Sequence, residues 1–213
     1  YFSATDAVNG TELWRSDGTA AGTVMVKNIG SGFQSGFVSE ITNVNGTLYF
    51  RARDAGTNFE LWKSDGTAAG TTLVKDIYAG NGGGAPDNLT NVNGILYFMA
   101  RSSAAGRELW KTDGTDAGTR LVKDINPGPD DSSPQNLTNV NGVLYFTATD
   151  AVNGIELWKS DGTEAGTVMV KDINPGTDDS NPFYLVNTNG TLYFTATDAV
   201  NGIELWKSNG TEA

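Results

Sequence analysis

The sequence predicts an all-β protein made of tandem β-propeller-type blades, each a four-stranded antiparallel meander with a 48-residue period. Three observations carry that expectation. Trp14, Trp62, Trp110, Trp158 and Trp206 recur every 48 residues, as do Tyr1, Tyr49, Tyr97, Tyr145 and Tyr193 and the phenylalanine after each tyrosine. Short runs of Val, Leu, Ile and aromatic residues alternate with clusters of Gly, Asn and Asp, and helical periodicity is nearly absent. The phrase ELWKSDGTAAGTTLVKDI, residues 60–77, returns in near copies along the chain. Fifteen of the 21 aromatic residues sit in repeat register, which requires each unit to make the same packing contacts.

The unit at residues 88–125 reads as four strands in order: NLTNV, ILYFMAR, ELWK and TRLVKDI. Asn93-Gly94 joins the first two, a dipeptide whose tolerance of positive φ suits a two-residue hairpin. TDGTDAGT joins the third and fourth, where Asp113 caps its own turn and Gly114 and Gly118 take dihedrals closed to other residues. Leu96 and Phe98 point to one face and Tyr97 to the other, and Leu121 and Val122 do likewise. A sheet apolar on both faces needs a neighbour on each. Radial stacking answers that need with the right repeat length, whereas a linear β-solenoid uses shorter coils of parallel strands. In ELWK, Glu60 and Trp62 share one face and Leu61 and Lys63 the other, so the tryptophan fills the gap between units. Glu60 is expected to pair with Lys75 across the hairpin, a contact of about 0.2–1 kcal/mol.

The whole chain, residues 1–213, reads as one array of four periods and 21 further residues. Residues 1–21 and 193–213 share one phase, the second and third strands of a unit. The expectation is a window of a longer array, with incomplete blades at both ends completed by residues outside it or by another copy.

Composition narrows the function. A formal charge of −11 disfavours nucleic acid and anionic membrane surfaces as partners. The chain has no Cys and no His, which removes thiol nucleophiles, imidazole bases and the usual zinc ligands. No apolar run approaches the roughly 20 residues that span a bilayer, and none of these residues reads as a signal peptide; the chain starts at Tyr1 with no initiator Met, so a targeting segment would lie outside it. No pair of carboxylates is placed across a cleft by its spacing, so no enzyme is expected.

ELWRSDGTAAGTVMVKNI, ELWKSDGTAAGTTLVKDI, ELWKTDGTDAGTRLVKDI and ELWKSDGTEAGTVMVKDI, with LYF upstream, resemble the ELWxxDGT repeat, or hyalin-like repeat, of large bacterial proteins. Asn209 departs from the motif, standing where the other copies have Asp. The resemblance implies a secreted or surface-attached protein with an adhesive or structural role and no known activity.

Identical residues answer a repeated packing problem, so the differences between copies point to binding. The loop between second and third strands reads DAVNGT, DAGTNF, SSAAGR, DAVNGI and DAVNGI. The connection between units reads GSGFQSGF, YAGNGGGAP, NPGPDDSSP and NPGTDDSNP. A meander brings both to one end, opposite the constant Asn-Gly and DGT turns, making that end the candidate functional face. Phe33, Phe37, Phe59, Tyr78, Phe183 and Tyr184 suit sugar rings there. Asp130, Asp131, Asp178 and Asp179, near Asp150, Asn153, Asp198 and Asn201, could offer oxygens to calcium, although no EF-hand spacing occurs and no metal ligand set is assigned. Arg51, Arg53, Arg101 and Arg107 are expected to form ion pairs between blades. The sequons at Asn9, Asn45, Asn88, Asn136, Asn189 and Asn209 fall largely in tight turns. The expected function is a non-enzymatic extracellular or cell-surface scaffold for adhesion or assembly, with a glycan, a protein surface or further copies of itself as partner. The alternatives are a lectin-like carbohydrate-binding propeller, with or without calcium, and a filament or surface-layer subunit joined through exposed strand edges; no cofactor is required.

Overall fold

The computed structural model describes residues 1–32, 34–80 and 82–211 and holds, among them, five antiparallel sheets and no helix. The first sheet comprises β1 Phe2–Asp6, β2 Gly10–Arg15 and β3 Val24–Lys27. The second runs through β4 Ser39–Val44, β5 Thr47–Ala52, β6 Glu60–Ser64 and β7 Thr72–Lys75, and the third through β8 Asp87–Val92, β9 Ile95–Arg101, β10 Arg107–Thr112 and β11 Arg120–Lys123. The fourth contains β12 Gln135–Val140, β13 Val143–Asp150, β14 Gly154–Ser160 and β15 Val168–Lys171, and the fifth β16 Phe183–Thr188, β17 Thr191–Asp198 and β18 Gly202–Ser208. Strands follow sequence order in every sheet. The first sheet therefore holds the second to fourth strands of a unit, and the fifth holds the first to third.

The core lies between sheets. Leu61 and Tyr49 of the second sheet pack with Leu96, Phe98 and Trp110 of the third. Tyr97 and Leu109, on the opposite face of the third, pack with Phe146 and Trp158 of the fourth. Strand alternation thus sorts each apolar residue to one of two interfaces, as the sequence pattern requires. Phe50, Phe98 and Phe146 are fully buried there, each contributing about 1.5–3 kcal/mol.

Neighbouring sheets approach most closely along their first strands, β4 against β8, β8 against β12 and β12 against β16. Short side chains bridge that narrow side. Thr42 Oγ1 donates to the Leu89 carbonyl at 3.2 Å, and Asn187 Nδ2 to the Asn139 carbonyl at 3.1 Å. Long side chains bridge the third and fourth strands: Lys63 Nζ donates to the Gly114 carbonyl at 2.8 Å, and Lys27 Nζ to the Thr71 carbonyl at 2.7 Å.

The constant turns serve these junctions. Asn93 and Gly94 adopt φ of 52° and 86°, as the hairpin demands. Asp113 Oδ1 accepts the N–H of Thr115 at 2.9 Å, and its hydroxyl at 2.7 Å. Gly114 has φ 92°, and the Tyr49 hydroxyl of the preceding sheet fills the space its Cβ would need. Gly118 differs from expectation, since it is not among the left-handed residues; the Asp113 carboxylate occupies its Cβ position, so close approach selects glycine there.

The Glu60–Lys75 pair does not form. The register places Lys75 opposite Leu61, leaving Glu60 beyond the end of β7, where the connection folds over it. Glu60 is fully buried and accepts the backbone N–H groups of Ile77 at 3.0 Å and Gly84 at 2.5 Å. Lys75 instead reaches Asp116 Oδ1 of the next sheet at 2.6 Å.

Candidate functional site

The two variable segments of each unit are stitched together at one end. Asp131 Oδ1 accepts the Arg107 N–H at 2.7 Å, Asp179 Oδ1 the Ile155 N–H at 2.8 Å, and Ser35 Oγ the Thr11 N–H at 3.0 Å. Beneath them lies the buried glutamate of the ELW motif. Glu108 accepts the N–H of Ile125 at 2.9 Å, the N–H of Ser132 at 3.0 Å and the Ser132 hydroxyl at 2.5 Å. Glu12 and Glu156 hold their own connections in the same way. Burial pushes the Glu60, Glu108 and Glu156 carboxyls above their ordinary range, partly opposed by these donors. A buried acid with a raised pKa is often catalytic, but these oxygens already hold the loop backbone.

Each first strand opens with a bulge at this end. In the third sheet Asp87 pairs with Met99 and Thr90 with Tyr97, so two residues of β8 oppose one of β9. Asn88, inside the bulge, has φ 57°, and its counterparts Glu40, Asn136 and Tyr184 have 57°, 55° and 55°. Left-handed backbone costs non-glycine residues on the order of 1–2 kcal/mol, least for Asn. None of the four is glycine, and Glu, Asn and Tyr all occupy the position while the backbone repeats. Together they line a cleft of about 410 Å³, with Thr90, Thr138 and Phe183. A second cavity of about 220 Å³ opens beside it between the fourth and fifth sheets, also touching Asn136 and Phe183.

The sequence-derived candidates divide. Tyr184 stands in the cleft with Phe183, the two rings edge to face at 4.7 Å and both exposed. Phe37 and Phe59 pack edge to face at 6.3 Å, and Arg53 lies over Phe37 at 4.6 Å. Arg51 lies over Phe59 at 5.2 Å, and Arg101 over Tyr78 at 5.7 Å. These rings are therefore already faced by cations. Of the four arginines, Arg51 approaches Asp87 of the next sheet at 3.8 Å and Arg107 meets Asp131 of its own connection at 3.2 Å, so the expectation of pairing between sheets holds only for Arg51. Phe33 lies outside the described residues.

Asp150 Oδ1 accepts the Asn153 N–H at 2.7 Å, forming the loop's own turn. Asp130 and Asp178 are exposed connection residues, and Asp131 and Asp179 hold the loop junctions already described. Among the described residues no group of three or more acidic side chains is placed to hold a cation. Glu40, Asn88 and Asn136 were missed as cleft residues by sequence reasoning, because EIT and NLT read as plain strand. The only signal was the recurrence of Asn at residues 88 and 136 in a position suited to left-handed backbone.

No protein-family model matches the chain, and no curated protein sequence does. Among solved structures, a puromycin hydrolase mutant superposes on 88% of the chain with a TM-score of 0.54 and 15% identity. The chain spans 28% of that enzyme's length. A protein assigned as TolB of Agrobacterium tumefaciens gives a TM-score of 0.45 at 12% identity, over 95% of this chain and 80% of that one. A protein assigned as an exo-β-1,3-galactanase of Bifidobacterium bifidum gives 0.43 at 12% identity, over 84% and 69%. The first likeness bears on the fold alone; the other two are too distant to bear on it.

Proposed function

We propose that the chain is a non-enzymatic extracellular scaffold of β-propeller-type blades, which holds a partner surface on its variable face for adhesion or assembly. The observation that carries this reading is the convergence of Glu40, Asn88, Asn136 and Tyr184 on one cleft. These residues come from four successive sheets. In a linear stack, with sheets about 10 Å apart, the outer two would stand roughly 30 Å from each other. A shared cleft instead favours sheets fanned about an axis, with the first strands innermost. The resemblance to ELWxxDGT repeats supports an extracellular setting.

A carbohydrate is the second reading, favoured by the exposed Phe183–Tyr184 pair beside the Asn136 amide. Aromatic rings stack on sugar faces while amides bond hydroxyls. A glycan array and a panel of immobilised extracellular proteins, probed with the wild type and with Asn136→Gly and Tyr184→Ala, test both readings. Binding that survives both substitutions but is lost on altering the Asn-Gly or DGT turns would overturn the choice of face.

A further inference from the structure

We infer that the cavity of about 220 Å³ between the fourth and fifth sheets is a binding site for one neutral sugar ring. The site rests on the carbohydrate reading of the variable face and gives that reading a particular seat.

Comparison of the units shows why this junction is open. Phe146 and Ala148 of β13 pack towards the third sheet and Tyr145 towards the fifth, so Thr147 and Thr149 face the fifth sheet as well. One period earlier the same positions hold Met99 and Arg101, and two periods earlier Arg51 and Arg53. Those long side chains occupy their own junctions: Met99 is buried, Arg101 lies over Tyr78, and Arg51 reaches towards Asp87 of the next sheet. Ile155 likewise stands where the earlier units carry Arg107 and Phe59. Threonines in place of the longer chains leave the space unfilled.

The chemistry of the wall changes along with its volume. Asp87 answers Arg51 from across the junction, and two periods on that position is Phe183. None of the described residues that line the cavity carries a charge, in a chain of formal charge −11. A charged ligand would shed its hydration there without gaining a counter-ion. Thr147, 4% exposed, forms a satisfied floor, its hydroxyl donating to the Gln135 carbonyl and accepting the Asn136 amide, both at 3.3 Å. Ser133, Gln135 and Asn181 on the walls keep side-chain donors and acceptors that, among the described residues, bond nothing in the protein. A pyranose fits that combination, since its hydroxyls bond amides and hydroxyls while its C–H face packs on an aromatic ring. The volume lies below the roughly 300–1,000 Å³ that holds a drug-sized ligand, so the cavity takes a single ring. Asn136 and Phe183 also line the neighbouring cleft, which lets a chain lying in the cleft lower one residue into the cavity.

Saturation-transfer NMR and calorimetric titration with methyl glycosides of neutral hexoses, and with glucuronic acid as the charged counterpart, test the site. The wild type should bind at least one neutral glycoside and discriminate against the acid. Thr149→Arg, which repeats what Arg53 and Arg101 do in two other sheets, should weaken that binding at least about tenfold. Circular dichroism and melting temperature close to the wild type would show that the variant folds, as the two arginine-bearing sheets do. Phe183→Ala should weaken binding as well. Sugar binding that survives Thr149→Arg but is lost in Tyr184→Ala would overturn the cavity and leave the carbohydrate reading of the cleft standing. Glucuronic acid bound as tightly as the neutral sugars would overturn the assignment of a neutral ligand. No binding of any sugar would overturn the cavity and the carbohydrate reading together.

Discussion

Replacing Glu108 should reveal how much of the molecule depends on a carboxylate that bonds only backbone and one hydroxyl. Its oxygens receive the well-placed N–H groups of Ile125 and Ser132, the Ser132 hydroxyl and a longer contact from Asn126 at 3.5 Å. Alanine leaves the Ile125 N–H without an acceptor, at about 1–3 kcal/mol, leaves the Ser132 N–H and hydroxyl only the Arg107 carbonyl at 3.1 and 3.3 Å, and opens a void. Removing a buried carboxyl and admitting water offsets part of that. The expected loss for Glu108→Ala is about 2–5 kcal/mol, a large share of a domain's typical 5–15 kcal/mol. Glu108→Gln keeps one acceptor oxygen but turns an amide N–H₂ towards a donor, for about 1–3 kcal/mol. Urea unfolding reads both, and hydrogen exchange should accelerate first at the amides of Ile125 and Ser132. Glu204 supplies the internal control in this chain: the same motif position, exposed, should tolerate alanine within about 0.5 kcal/mol. A Glu108→Ala loss no larger than that of Glu204→Ala would refute the clamp.

Acidity acts on two sets of groups with opposite sign. Glu60, Glu108 and Glu156 sit above their ordinary 4.5, so their contribution is fully present below that value and is lost as pH rises through the folded pKa. The stability gap between wild type and Glu108→Gln should therefore narrow as pH rises, in paired urea titrations. Turn hydrogen bonds hold Asp65, Asp113 and Asp161 below their ordinary 3.8, and the stability they give is lost as pH falls through the folded pKa. Gly114→Ala meets the Tyr49 hydroxyl as well as a left-handed backbone, whereas Gly18→Ala meets only the backbone. The first should destabilise more, by about 1–3 kcal/mol, and the difference should shrink in a Tyr49→Phe background by calorimetry. Asn136→Gly relieves a left-handed residue, so it should hold or raise the melting temperature while weakening binding at the cleft. Chelation should leave the melting temperature unchanged, since Asp150 and Asp131 already bond their own loops.

What the sequence disclosed follows from where each constraint lies. The alternation of Leu96, Tyr97 and Phe98 is local, and it assigned all three to the correct interfaces. The Asn-Gly hairpins and Asp-capped turns are equally local, and they formed as expected. Glu60 was misread because its partners lie 17 and 24 residues onward, in a connection without strand structure. A rule of cross-strand neighbours could reach only Lys75. The bulges were invisible for a related reason: Asn88 belongs to an apolar-polar run that fits a regular strand, and only the pairing of Asp87 with Met99 exposes the extra residue. The cleft gathers bulge residues from four separate sheets, so it could not be read residue by residue.

The unequal reach of the bridging side chains sets the geometry of the whole assembly. Threonine and asparagine hold neighbours close on one side, while lysine spans a broader gap on the other. Each junction is consequently a wedge, its taper fixed by a handful of side-chain lengths. The angle between neighbouring sheets is then a local property that every joint states anew, without any residue having to encode the total.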